Sequence, residues 1–376
     1  MCGYVSGARL ASCWRIADSL TDMKLGLNLG YWGGGNDADN ISLAQEADRI
    51  GYSVVWAAEA YGSDAPTVLS WVGALTQKID LGAAVMQIPA RTPAMTAMTA
   101  ATLDTLSDGR FRLGLGVSGP QVSEGWHGVK FDAPLGRTRE YVDIVTMALR
   151  RETVAYRGKH WILPLPDGPG KALKMTIHPV RDHIPLYLAA VGPKNLELAG
   201  EIADGWLAVF FSPEHSGDLL ASLRVGRAKA ERGTEHDRLA GFDVVPTVPV
   251  ILNDDLEAAA TPLRSNSALY LGGMGSREKN FYNALAVRMG FEEGAAKVQD
   301  LFLARAHREA AAAVPLDFID QTSLIGPRAR IRDRLSRYAA CGVTTLTIAA
   351  EGACLDERLH VVRTMADLLD ESGLGD

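Results

Sequence analysis

The chain has 376 residues, 47% of them hydrophobic and 22% charged, enough to bury a large core without disulfide staples. Its 38 basic and 45 acidic side chains leave a net charge of −7, which argues against a polyanion as main partner, because nucleic-acid binding needs a clustered basic face. No apolar run approaches the roughly 18 residues that span a bilayer, so the composition is that of an acidic globular protein, read here as a cytoplasmic enzyme.

The four cysteines, Cys2, Cys13, Cys341 and Cys354, form no C-x-x-C pair and have no histidine cluster nearby. That excludes a zinc site on spacing and points to a reducing compartment. Residues 1–22 lack the long apolar stretch and A-x-A site of a signal peptide and read as a disordered extension or an upstream start.

From Met23 onward the rhythm is strand, helix, strand, helix. A half-buried strand over 23–32 ends in the loop Gly33-Gly34-Gly35. Asp39 or Asn40 then caps a helix whose Ile41, Ala44, Ala47 and Ile50 recur at helical spacing before Gly51 stops it. Strands follow at 53–57, 79–86 and 111–117, separated by helices at 66–76 and 92–106; a helix over 135–150 leads to a hairpin turned at Arg157-Gly158. Later come strands at 185–190, 206–211, 242–252 and 343–349, with helices over 193–203, 213–232 and 355–369. Before the last strand, a helical insertion spans 255–313, broken at Gly272-Gly273-Met274-Gly275, and a further helix follows Gly326-Pro327. Eight strands built as buried apolar runs suggest a parallel sheet, and closure into a (β/α)8 TIM barrel is the economical solution. A doubly wound open sheet is the alternative.

Pro93, Pro193 and Pro327 each open a helix, where proline loses nothing because the first N–H groups have no intrahelical partner. The small residues Ala189, Ala190, Val191 and Gly192 before Pro193 make that helix start the best anion site, an ordinary tight turn being the other reading. Gly114-Leu115-Gly116-Val117-Ser118-Gly119 fits G-x-G-x-x-G but is followed by Pro120 and a polar, aperiodic run. A dinucleotide site needs a helix opening there, so these glycines read instead as room for a flat ligand to approach the backbone. Glu59, after the second strand, is a candidate active-face carboxylate; His127, between Trp126 and Gly128, reads as a proton donor, ring contact or structural histidine. Asp104, Asp108 and Arg110 read as ties across the barrel's far face.

The run Leu106-Ser107-Asp108-Gly109-Arg110-Phe111-Arg112-Leu113-Gly114-Leu115-Gly116 resembles the signature of the luciferase-like flavin and deazaflavin oxidoreductases. Gln87-Ile88-Pro89-Ala90-Arg91-Thr92-Pro93, Ala203-Asp204-Gly205-Trp206 and Ile325-Gly326-Pro327 extend the likeness over nearly the whole chain, closest to the coenzyme F420-dependent branch. The resemblance implies a TIM barrel with insertions, a homodimer, and a non-proline cis peptide near Val85-Met86 or one residue earlier, behind the deazaflavin. It implies that Val85, Met86, Gln87, Ser118, Gly119 and Ser123 line the cofactor and that Ala190, Val191 and Gly192 hold its phosphate. A sugar-phosphate branch carries an Asp-His pair where this chain has Glu59 and Ala60, which bears against a sugar substrate. The implied reaction is hydride transfer between coenzyme F420 and a small organic substrate, with Glu59 or His127 exchanging the proton. Tyr31, Trp32, Tyr61 and Trp126 wall the substrate, and no metal, nucleic acid or membrane takes part. Two alternatives are an FMN-dependent monooxygenase and a non-catalytic flavin-binding protein.

Overall fold

The computed structural model describes residues 22–32 and 37–375; the extension 1–21 and the loop Gly33-Gly34-Gly35 lie outside the described residues. Among the described residues, eight parallel strands close into a ring: β1 Lys24–Asn28, β2 Val54–Ala57, β3 Asp80–Ala83, β4 Phe111–Gly116, β5 Leu186–Ala189, β6 Gly205–Val209, β7 Asp243–Leu252 and β8 Thr345–Ala350. Closure rests on β7, where Thr247 pairs with Val209 of β6 on one edge and Thr347 of β8 on the other. β8 then pairs with β1, which removes every free edge and rules out the open sheet. An extra short strand, Leu324–Gly326, joins the upper part of β7.

The helices that cover the ring are α1 Asp37–Arg49, α2 Ala65–Leu75, α3 Pro93–Leu106, α4 Pro134–Leu149, α5 Pro193–Ile202, α6 Gly217–Lys229, α7 Arg328–Ala340 and α8 Leu355–Ser372. Local chemistry sets their starts. Asp64 accepts from the Thr67 N–H at 3.0 Å, and Thr92 from the Met95 N–H at 3.2 Å ahead of Pro93. The expected cap of α1 is corrected: the helix is already formed at Asp37, and Asn40 lies buried inside it, donating to the Leu29 carbonyl. None of the described helices is long and apolar enough to cross a membrane. The main apolar core lies between strands and helices; at its edge the Met23 N–H donates to the Leu374 carbonyl at 2.7 Å, joining the entry to β1 with the end of α8.

The barrel interior is layered. At the end where strands begin, Arg112 pairs with Asp80 at 2.8 Å and Asp243 at 3.4 Å, while Tyr187 and Thr345 donate to Asp243 at 3.0 and 2.8 Å. This network seals the floor; Asp104 and Arg110 tie the same end, Arg110 reaching the Ile79 carbonyl at 2.6 Å. Above the floor sits Trp56, packed edge-on to Tyr187, with Val54, Leu207 and Val245. Strand glycines make room for it: a Cβ on Gly82 would lie 2.1 Å from the Trp56 ring. Gly114 admits the Ala83 carbonyl, 1.8 Å from its would-be Cβ, and Gly116 admits the Val85 side chain. So these two glycines serve neighbouring chain rather than a flat ligand.

Strand three, read as continuous over 79–86, breaks at a cis peptide between Ala84 and Val85, the earlier of the two expected positions, and resumes as Met86–Gln87. The insertion is less regular than its alanine content suggests. It runs as Leu256–Ala260, Arg264–Ala268, a π-helical turn Leu269–Gly273, then Phe281–Arg288, Glu292–Leu303, His307–Ala312 and Leu316–Gln321, continuing past residue 313 around its own core.

Beyond β6, the turn Pro213–His215 places Glu214 against Arg334 and Arg337 of α7, each at 3.1 Å. Partial burial alone would raise this carboxyl; hydrogen bonds from Ser212 and Arg334 overcome it and hold the group at about 2, below its usual 4.5. A carboxylate depressed in the folded state stabilises above its unfolded value and loses that contribution as pH falls through the folded one. Allowing for solvent screening, Glu214→Gln should therefore be about 1–2 kcal/mol less stable than wild type at pH 6, with the gap closing between pH 4.5 and 2. Urea denaturation at pH 6 and pH 3 checks this; a gap that widens in acid would contradict it.

Candidate active site

Three non-glycine residues adopt left-handed backbone immediately beyond strand ends: Ala60 after β2, Ser118 after β4 and Phe210 after β6. All three stand at the C-terminal face, the face on which a parallel barrel carries its functional loops.

Around the ends of β2, β3 and β4 the loops are tied by one polar network. Glu59 is 5% exposed, and both its oxygens are engaged. Arg91 bridges to them at 2.7 and 2.8 Å, the Gln87 N–H donates at 3.0 Å and the Ala65 N–H at 3.3 Å. The Gln87 side chain donates to the Ala60 carbonyl and accepts from the Ser118 hydroxyl at 2.6 Å. Glu59 is thus held as an anchor for these loops, a different setting from the open carboxylate that proton exchange needs.

The other expected cofactor residues divide. Val85 turns into the barrel, whereas the Met86 side chain is fully buried in the outer core, leaving only its backbone to face a ligand. Gly119 caps a single helical turn, Pro120–Ser123, and lies 4.0 Å, measured from its would-be Cβ, from the Met274 carbonyl of the insertion. The Ser123 hydroxyl donates to the Val129 carbonyl at 2.7 Å, and Ser123 lines a cavity of about 300 Å³ with Trp161, Phe131 and Pro89. Half-buried His127 has its Nε2 shielded from solvent with no partner, a polar atom left for a ligand.

At α5 the small-residue run does form a helix start. Ala190 is buried and its carbonyl accepts the Trp206 indole N–H at 2.9 Å, while Gly192 has open space where a Cβ would project. Arg288 of the insertion donates to the Val191 carbonyl at 3.1 Å. Among the described residues no carboxylate pairs with Arg288, whose partial burial lowers its pKa. A cation, free helix N–H groups and an open glycine form a cradle that fits a phosphate. The sequence reading missed Arg288 because nearly 100 residues separate it from Val191.

The four aromatics expected to wall the substrate sit in different settings. Tyr31 and Tyr61 are half exposed at the rim. Trp32 turns outward onto Trp71 of α2, ring centroids 5.7 Å apart, and Trp126 is 67% exposed, without a partner ring among the described residues. Three further aromatics cluster together beyond β6. Phe210, Tyr270 and Tyr282 meet edge-on, with Tyr270 4.8 Å from Tyr282 and 5.4 Å from Phe210. Burial, then the neighbouring Tyr270 phenol, hold the Tyr31 hydroxyl well above the ordinary range. Burial likewise pushes Tyr282 up to about 12, so these phenols stay neutral donors at physiological pH.

Comparisons with known proteins agree with this geometry. The luciferase-like monooxygenase family profile matches residues 29–345. A Mycobacterium tuberculosis protein, provisionally named a coenzyme F420-dependent oxidoreductase, is 44% identical over 88% of this chain and 96% of its own length. The coenzyme F420-dependent tetrahydromethanopterin reductase of Methanopyrus kandleri superposes with a TM-score of 0.76 at 22% identity, covering 91% of this chain and 97% of its own. The oxygenating constituent of 3,6-diketocamphane monooxygenase of Pseudomonas putida, solved with FMN, superposes at 0.64 and 16% identity over 93% and 98%. The chain is a (β/α)8 barrel and belongs to the luciferase-like monooxygenase family of enzymes.

Proposed function

We infer that the protein is an oxidoreductase that transfers a hydride between coenzyme F420 and an organic substrate at the barrel mouth. The observation that carries this reading is the division of the rim into two arcs. Val85, Gln87, Ser118, Gly119 and the Ala190–Gly192 cradle stand on three consecutive strands, β3, β4 and β5. The tyrosine wall occupies the remaining arc from β6 through β1 and β2. A long planar cofactor with a phosphate tail fits the first arc, and its exposed face would look across to the second.

Bound there, the deazaflavin supplies hydride chemistry at its C5 position. The protein's part is to fix one ring face with Val85 and the backbone at Met86, to hold the phosphate with Val191, Gly192 and Arg288, and to exclude water with the insertion. The relative at 44% identity supports F420 over FMN. A homodimer is part of the reading: α2 and α3 expose Trp71, Leu75, Met95, Met98 and Leu106 on one side.

The test is titration of the gel-filtered protein, expected at the mass of two chains, with coenzyme F420 and FMN while following tryptophan fluorescence. Saturable quenching by F420, with FMN at least about tenfold weaker, is the expected result. Tight FMN binding without deazaflavin binding would overturn the cofactor assignment.

A further inference from the structure

The cavity of about 300 Å³ that Ser123 lines opens on the outer side of the strand ring. Ile88 and Val117 form part of its wall, and both pack in or against the outer core. Their chain neighbours Gln87 and Ser118 bond to each other at 2.6 Å, and Val85 packs with the inner cluster around Trp56. The cavity and the arc assigned to the cofactor thus lie on opposite sides of one wall. Its size falls at the lower end of the range that small-molecule sites span.

The walls are fixed. The Val129 N–H donates to the Ser123 carbonyl at 2.8 Å, and the Phe131 N–H donates to Glu124 at 2.9 Å. On the far side, Glu140 accepts the consecutive N–H groups of Lys159, His160 and Trp161 at 2.7, 2.8 and 2.9 Å.

The polar chemistry on these walls favours an anion. Two long helices begin here, since Thr92 ahead of α3 and Pro134 of α4 both line the cavity. Thr92 caps the Met95 N–H, whereas Ala133 at the head of α4 offers its opening N–H groups no side-chain acceptor. Asp132 is the one acidic residue on the wall, and Arg137 neutralises it at 2.7 Å. Arg91 is taken by Glu59 and Asp64. Lys130 stands at the rim, and among the described residues no carboxylate lies within ion-pair distance of it. Trp161 is held edge-on to Tyr141, ring centroids 6.1 Å apart, with its indole N–H shielded from solvent and lacking an acceptor among the described residues. A donor buried in this way is costly until an acceptor reaches it.

We propose that this cavity is a second small-molecule site, separate from the barrel mouth, that takes a flat aromatic carboxylate. The ring lies against Ile88, Val117 and Phe131, and the carboxylate meets Lys130, the Trp161 indole N–H and the head of α4. This assignment does not rest on the F420 reading.

Three probes share one ring system and differ in charge: 2-naphthoate, 2-naphthamide and 2-naphthylmethylamine. In ligand-observed NMR with the full chain, naphthoate should bind, the amide at least about tenfold more weakly, and the amine not detectably. Lys130→Met should weaken naphthoate about threefold, as befits an exposed charge, and Trp161→Phe about tenfold, both with unchanged circular-dichroism melts. Arg288→Met, at the helix start beyond β5, should leave naphthoate binding unchanged. In nitrogen-15 spectra, the indole N–H signal that Trp161→Phe removes should shift as naphthoate is added. Saturating coenzyme F420 should leave naphthoate bound. Equal or better binding of the amide or amine, no binding of naphthoate, indifference to both Lys130→Met and Trp161→Phe, or displacement by F420 would overturn the proposal. Should the deazaflavin titration fail, the F420 reading alone falls, because the probe series and the two variants still decide this site.

Discussion

Glu59→Ala should cost about 2–4 kcal/mol of stability and abolish detectable cofactor binding. The loss is large because three groups are stranded together. Arg91, with only 14% of its side chain exposed, keeps Asp64 but loses its buried partner, and the Gln87 and Ala65 N–H groups lose their acceptor. With Gln87 released, its bridge from the Ala60 carbonyl to the Ser118 hydroxyl goes too, so the ends of β2, β3 and β4 are no longer registered. Urea denaturation and the F420 titration measure the two effects. Glu59→Gln separates anchoring from proton exchange: it preserves shape and one acceptor, so it should keep cofactor affinity within a few-fold and retain turnover. A Gln variant that is fully stable yet inactive would restore Glu59 as a proton carrier.

Gly114→Ala is expected to be the most damaging single methyl in the barrel. Its Cβ would lie 1.8 Å from the Ala83 carbonyl oxygen and 2.9 Å from Leu207, and the first of these is backbone that cannot swing aside. Overpacking normally costs 1–3 kcal/mol because side chains yield; with main chain as the obstacle the cost should exceed about 4 kcal/mol, enough to leave the protein insoluble or molten. Gly192→Ala is the control, since nothing lies within 4 Å of that Cβ. Its melting temperature should match wild type. Soluble, wild-type-like Gly114→Ala protein would show that β3 and β4 are not packed as described.

The barrel was legible because its signals are local. Eight buried apolar runs, separated by helices that open on Pro93 or Pro193 or close on Gly51, fix order and hand without knowledge of distant contacts. The helix start after Gly192 was legible for the same reason, its small residues and Pro193 lying consecutively at a strand–helix junction, whereas Arg288, nearly 100 residues away, was not. What escaped depends on long-range packing. Trp32 and Tyr31 are neighbours in sequence yet face opposite ways, and nothing in that dipeptide says which one Trp71 will take. Tyr270 and Tyr282 looked like members of an alanine-rich helix because the π turn that aims Tyr270 is enforced by Asn280, Asn283 and Phe302. Phe210 escaped as well: its left-handed backbone just beyond β6 breaks strand alternation, so Phe211 packs on Trp206 in the core while Phe210 meets Tyr270.

The bond between the Met23 N–H and the Leu374 carbonyl places the start of β1 and the end of α8 side by side at the sealed base, opposite the reactive rim. A carrier protein, fluorophore or solid support coupled through either position would hang from the underside. The loops beyond the strand ends would then stay clear of the attachment, so a label at Met23 or Leu374 leaves the opposite face of the barrel uncrowded.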